Sequence, residues 1–118
     1  NGDLQTAKAI ALYALLNIDI LLFEFFKEVY ADKYGIRDPF IYDSDIMIFF
    51  HRKAETSKIV ANWQDSNLRQ LRNAYKKVLL ESGFTKAQDS CLEITPPFIE
   101  KEIVNLLPKE YGRAMCLG

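Results

Sequence analysis

The sequence predicts a mainly α fold: a helical domain whose helix-turn-helix leads into a short β-hairpin, a winged-helix-like arrangement. Three observations carry this expectation. Apolar residues recur at helical spacing from the N-terminus to Ser82. Cap and breaker residues divide that stretch into segments of helix length. After Gly83 the pattern changes to short β-prone pieces around a turn. With 118 residues, 49% of them hydrophobic and 26% charged, the chain has the composition of one ordinary globular domain rather than of a disordered segment. Eight Phe, six Tyr and one Trp supply the bulk for a compact core.

Taken in order, Asp3 can cap a first helix to about Leu16, with Leu4, Ala7, Ala11 and Ala14 or Leu15 as its apolar side. Asn17 or Asp19 then starts a second helix. Its stripe of Ile18, Leu21, Leu22, Phe25, Phe26 and Val29 follows the i, i+3, i+4 spacing of a core-facing helix. Gly35 stands where a helix C-terminus favours a left-handed residue, and Asp38-Pro39 breaks the chain. Asp43 or Ser44 opens a third helix through about Thr56. Within it, Ile46 to Phe50 has the β-propensity of a buried strand, but the polar tail from His51 to Glu55 favours helix.

After a link containing Trp63, expected to pack as a core or staple residue, Asp65 or Ser66 caps a fourth helix through Ser82, ended by Gly83. Phe84 to Lys86 and Cys91 to Ile94 form the hairpin. Thr95-Pro96-Pro97 then starts a fifth helix carrying Phe98, Ile99, Ile103, Leu106 and Leu107, and Pro108 ends it. The expected organisation is one domain over 1–118, with a helical hairpin at 1–36 and a winged-helix-like unit at 43–107. The opening at Asn1 without an initiator Met points to a fragment lacking an N-terminal region.

Few residues suit catalysis or metal binding. Cys91 and Cys116 are far apart, and with the lone His51 they give at most three of about four ligands that a structural zinc needs. His51 and Glu55 share one helix face, where a solvated histidine is the expected role. Glu24 and Glu28 are spaced likewise and are expected as surface charges. Cys91 is expected as a buried structural thiol. Nucleotide-binding glycine motifs, a nucleophile elbow and H-E-x-x-H are all missing. The sequence predicts no enzyme and no cofactor. The longest apolar stretch, Ala9 to Leu16, is well short of the roughly 20 residues that span a bilayer. With no signal peptide and two thiols of intracellular character, the expectation is a cytoplasmic protein without a membrane.

Charge is where the sequence becomes informative. The net charge is −1, yet between Ser66 and Lys86 five basic residues (Arg69, Arg72, Lys76, Lys77 and Lys86) face one acid, Glu81. Between Ile18 and Asp32 the balance reverses, with Asp19, Glu24, Glu28 and Asp32 against Lys27. On a helical wheel, Leu68, Leu71, Tyr75, Val78 and Leu79 share a core-facing arc of about 100°, and Arg69, Arg72, Asn73 and Lys76 share a second arc roughly 120° away.

Such a helix followed by a hairpin fits the winged-helix manner of binding DNA, with the helix in the major groove and the hairpin on the backbone. Arg69, Arg72 and Lys76 suit phosphates or guanine edges, Asn67, Gln70 and Asn73 offer amides to adenine, and Lys77 is a further candidate for nucleic-acid binding. Ser66 at the helix start can hold a phosphate, and Lys86 falls on the wing. The same stripe also fits a plain solvated face, and winged helices serve as protein-interaction modules too.

The order of several short segments adds to this. Gly2 to Gln5 enters a helix, and Phe25 to Val29 and Phe49-Phe50 with Lys53 to Glu55 follow. Trp63 to Leu71, then Leu80 to Phe84, then Ile94 with Pro96-Pro97 complete the series. In order and spacing these resemble the BrxA family of bacterial bacteriophage-exclusion (BREX) systems, over nearly the whole of this chain. The resemblance implies a C-terminal part of a longer family chain. It also implies a non-enzymatic, helical component of phage defence that binds double-stranded DNA through a winged helix and works with other defence proteins. The resemblance also implies an antitermination-like RNA-binding role as an alternative. The other alternative is a protein-interaction adaptor that docks onto another defence protein through the acidic second helix or an aromatic patch. One position departs: Ser66-Asn67 stands where the family pattern implies Ser-Thr, which keeps a competent cap but loses a threonine hydroxyl.

Overall fold

A computed structural model describes residues 2–56 and 65–117. Helix α1 (Gly2–Ile18) ends where Asp19 adopts extended backbone (φ −114°, ψ 92°) and accepts a hydrogen bond from the Leu22 N–H at 3.1 Å. This cap starts α2 (Ile20–Phe25) as expected, and the chain turns by 112° there. The buried face of α1 is not the expected one. Ala9, Leu12 and Leu16 face the core, whereas Leu4, Ala7, Ala11 and Ala14 are exposed and only Leu15 is half-buried. Leu, Ile and Ala surround this helix, so spacing alone does not choose a face.

Helix α2 runs through a π-helical turn, Phe26–Tyr30, into α3 (Ala31–Gly35). The Ala31 N–H donates to the Phe26 carbonyl, five residues back. The wider turn lets two adjacent pairs, Phe25-Phe26 and Val29-Tyr30, all point inward. The expected stripe holds from Leu22 to Val29, but Ile18 at its head is 79% exposed. Gly35 does not take the left-handed position. The helix includes it, and Arg37 adopts φ 60° while the Asp38 N–H closes back onto the Lys33 carbonyl at 3.0 Å.

Strand β1 (Phe40–Ile41) follows the expected break and was not foreseen; two residues carry too little alternation to reveal a strand. Helix α4 (Asp43–Thr56) spans the expected range and buries Ile46, Phe49 and Phe50, so the ambiguous apolar run is helical. Helix α5 (Asp65–Glu81) buries Leu68, Tyr75 and Leu79, with Leu71 and Val78 half-buried, as the wheel predicts. Gly83 takes φ 80° after it, a conformation that favours glycine. Trp63 lies outside the described residues.

The hairpin forms as β2 (Thr85–Ala87) and β3 (Leu92–Ile94). It belongs to a three-stranded antiparallel sheet in the order β1-β3-β2, with Ile41 opposite Leu92 and Lys86 opposite Glu93. The expected fifth helix is largely absent. Residues 95–100 are irregular, and only α6 (Lys101–Val104) is helical before Pro108, which precedes α7 (Lys109–Ala114) instead of closing the chain's helices. Pro96 and Pro97 each disfavour helical backbone in the residue before them, Thr95 and Pro96, and Pro108 suits the start of a helix as well as the end of one. Phe98 and Leu106, expected on an apolar helix face, are 83% and 79% exposed.

The core is aromatic. Phe25 contacts Phe49 and Tyr75 with ring centroids at 5.3 and 5.5 Å, and Phe50 contacts Tyr75 at 5.4 Å. Together they tie α2, α4 and α5 to one another. Tyr30, fully buried, donates its hydroxyl proton to the Phe84 carbonyl at 2.6 Å and so joins the π-helical turn to the start of the hairpin. Burial is the main cause that pushes its phenol well above the ordinary tyrosine pKa.

Candidate nucleic-acid interface

Packing of Leu68, Tyr75 and Leu79 into the core fixes which way the rest of α5 points. Helical geometry divides its other residues into a ridge and two shoulders. Ser66, Gln70, Asn73 and Lys77 form the ridge opposite the core and are exposed. Arg69, Arg72 and Lys76 form one shoulder, Arg69 exposed and the other two half-buried. Asn67 lies on the other shoulder and lines a shallow cleft of about 380 Å³ with Gln70, Leu71 and Ala74. The amide groups of Asn67 and Asn73, grouped in the sequence as base-reading candidates, therefore lie on different sides of the helix. Lys86 stands on β2, exposed, at the expected place on the hairpin.

The basic shoulder is partly neutralised from outside α5. Asp43, the first residue of α4, lies 2.8 Å from Lys76 Nζ through Oδ1 and 3.9 Å from Arg72 Nε through Oδ2. Arg72 also donates from Nε and Nη2 to Asn73 Oδ1, both at 3.3 Å. Lys77 pairs with Glu81 one turn on, at 3.8 Å, with both side chains mostly exposed. On the hairpin, Gln88 donates to Glu93 at 2.7 Å, and Glu93 is the register partner of Lys86. The sequence marks Asp43 only as a helix opener; its pairing across to α5 depends on tertiary structure and leaves no local signal.

The acidic region of the second helix is not a bare negative surface. Lys53 of α4 reaches Glu28 at 2.6 Å and Glu24 at 3.3 Å, and Arg52 lies 3.8 Å from Glu28. Burial works against the charged form of Lys53, but the hydrogen bonds and attraction of Glu28, then Glu24, outweigh it and raise its pKa. Lys33 behaves likewise between Asp45 at 3.2 Å and Asp38 at 3.3 Å. The sequence-level separation of charge is thus smaller in space than along the chain.

Other candidates stay apart. His51 and Glu55 are exposed, and among the described residues no three His, Cys, Asp or Glu side chains converge as a metal site requires. Cys91 is half-buried rather than buried, and both cysteines are free thiols. Burial pushes the Cys116 thiol up to about 11, which keeps it protonated and unreactive at neutral pH. No single helix among the described residues is long and apolar enough to cross a membrane.

No solved structure matches the chain. The BREX protein BrxA of Bacillus cereus (strain H3081.97) is 36% identical over 104 residues, 88% of this chain and 52% of that protein. The chain therefore spans about half the length of this curated relative. The BrxA family model matches residues 1–110, taking in the first helices as well as the helix-and-hairpin region. With that extent of match, the chain belongs to the BrxA family.

Proposed function

We propose that the chain is a non-enzymatic component of a BREX phage-defence system that binds double-stranded DNA through α5 and the β2–β3 hairpin. One observation carries the reading: α5 presents a polar ridge and a basic shoulder beside a hairpin whose sheet order is β1-β3-β2. Among the described residues the order helix, strand, two helices and two strands supports a winged-helix reading, in which α5 is the helix that enters the major groove. Arg69, Arg72, Lys76 and Lys77 neutralise phosphates, Ser66 and Lys86 hold the backbone at either end, and Gln70 and Asn73 on the ridge face base edges. Asn67, on the far shoulder, reaches only the groove wall. Membership of the BrxA family supports the place in phage defence and other defence proteins as partners.

The test is a gel-shift titration at several salt concentrations. Affinity is expected to fall by orders of magnitude between low and moderate salt, and R69A/R72A/K76A is expected to lose binding while its helical circular dichroism is unchanged. Unchanged affinity in that triple variant would overturn the reading. Competition by structured RNA better than by duplex DNA would replace DNA with RNA as the ligand.

A second reading, an adaptor for another defence protein, is favoured by a different surface. Leu4, Ala7, Ala11, Ala14 and Ile18 alternate at spacings of three and four along the exposed side of α1, the pattern of a helix-pairing seam. Leu4→Glu with Ile18→Glu is expected to abolish pull-down of a co-expressed BREX protein and to leave duplex binding intact. Retained pull-down in that variant would remove the adaptor reading.

A further inference from the structure

Two cations of the proposed interface are already engaged inside the protein. One Asp43 carboxylate oxygen lies 2.8 Å from Lys76 Nζ and the other 3.9 Å from Arg72 Nε, with the Asp43 side chain 49% exposed. Asp43 is the first residue of α4, and the carboxylate that reaches back to the start of the helix is that of Asp45, whose Oδ2 accepts from the Tyr42 N–H at 2.8 Å. Asn73 Oδ1 accepts from the same guanidinium, so Arg72 is held from two sides. A carboxylate and a phosphate ask for the same thing, charged N–H donors at short range. An arriving phosphate therefore meets Asp43 as a rival for the same two side chains and as a like charge beside them.

We propose that Asp43 is an internal competitor for the phosphate backbone. It orients Arg72 and Lys76 in the free protein and sets how tightly, and with what salt sensitivity, the α5 face grips a polyanion. The inference rests on the DNA-binding reading above. Ion pairs this exposed exchange readily, so a polyanion can displace the carboxylate while its charge still weakens the complex.

The experiment compares wild type, D43N, R72A/K76A and D43N/R72A/K76A by fluorescence anisotropy with a short labelled mixed-sequence duplex across a salt series. Asparagine keeps the shape and remains competent at a helix start, and circular dichroism checks that each variant is folded. D43N is expected to bind about tenfold tighter than wild type at low salt, with the slope of log affinity against log salt steeper by about one. That gain is expected to vanish when Arg72 and Lys76 are alanine. Equal affinity of wild type and D43N, or a gain that persists without Arg72 and Lys76, overturns the inference and leaves DNA binding in place. No duplex binding by either wild type or D43N at low salt overturns both.

Discussion

Helices α1 and α5 have the same length, 17 residues each, and teach opposite lessons. In α5 apolar and charged residues segregate sharply, so one face is committed to the core and the other to solvent. In α1 apolar residues run all round, and the face that packs is decided by the rest of the protein. Leu12 and Leu16 are buried; Leu4 and Ile18, of similar character, are mostly in water. Strong amphipathicity therefore makes a helix legible, whereas abundance of apolar residues does not. What remains exposed on α1 is available for contact, and what remains exposed on α5 is available for charge.

Four measurements sharpen or break this contrast. The largest effect is expected in the aromatic core shared by α2, α4 and α5, where Phe49→Ala should destabilise the protein by about 3–5 kcal/mol in urea unfolding. On α1, Leu12→Ala should cost about 2–4 kcal/mol, whereas Leu4→Ala should stay within about 0.5 kcal/mol. Equal losses at Leu4 and Leu12 would show that the exposed side of α1 is covered in solution. Tyr30→Phe should cost about 1 kcal/mol, because the Phe84 carbonyl loses the buried hydroxyl but keeps the Thr95 N–H at 2.9 Å. The smallest effect has the opposite sign: Arg37→Gly should stabilise by about 0.5–1 kcal/mol by relieving a left-handed residue, seen as a small rise in Tm. Loss of stability there would mean that the arginine side chain contributes more than its backbone costs.

Much of this fold was legible in the sequence wherever a segment carried its own punctuation. Asp19, Asp43 and Gly83 mark boundaries that the structure keeps, and the turn between Lys86 and Cys91 closes the expected hairpin. What escaped depends on partners distant in sequence. Strand β1 pairs with β3, and the π-helical turn ends on Tyr30, whose buried hydroxyl reaches an acceptor 54 residues further on. The same division holds for the candidate interface. The wheel placed the basic residues on α5, but the pairing of Asp43 with Lys76, and of Lys53 with Glu24 and Glu28, joins elements that no local pattern connects.

The position of β3 in the middle of the sheet has a consequence for the order of folding. Its neighbours are β2, just before it, and β1, which comes from before α4 and α5. Tyr30 and Phe84, joined by a hydrogen bond, are likewise 54 residues apart. During synthesis the helices can form and associate as they emerge, yet β1 has no partner until Ile94 has been made. Contacts that close such long loops come late, after the local ones. The wing is therefore among the last parts of the molecule to be completed. A chain stopped short of Ile94 would present α5 with its basic shoulder but without the hairpin that accompanies it.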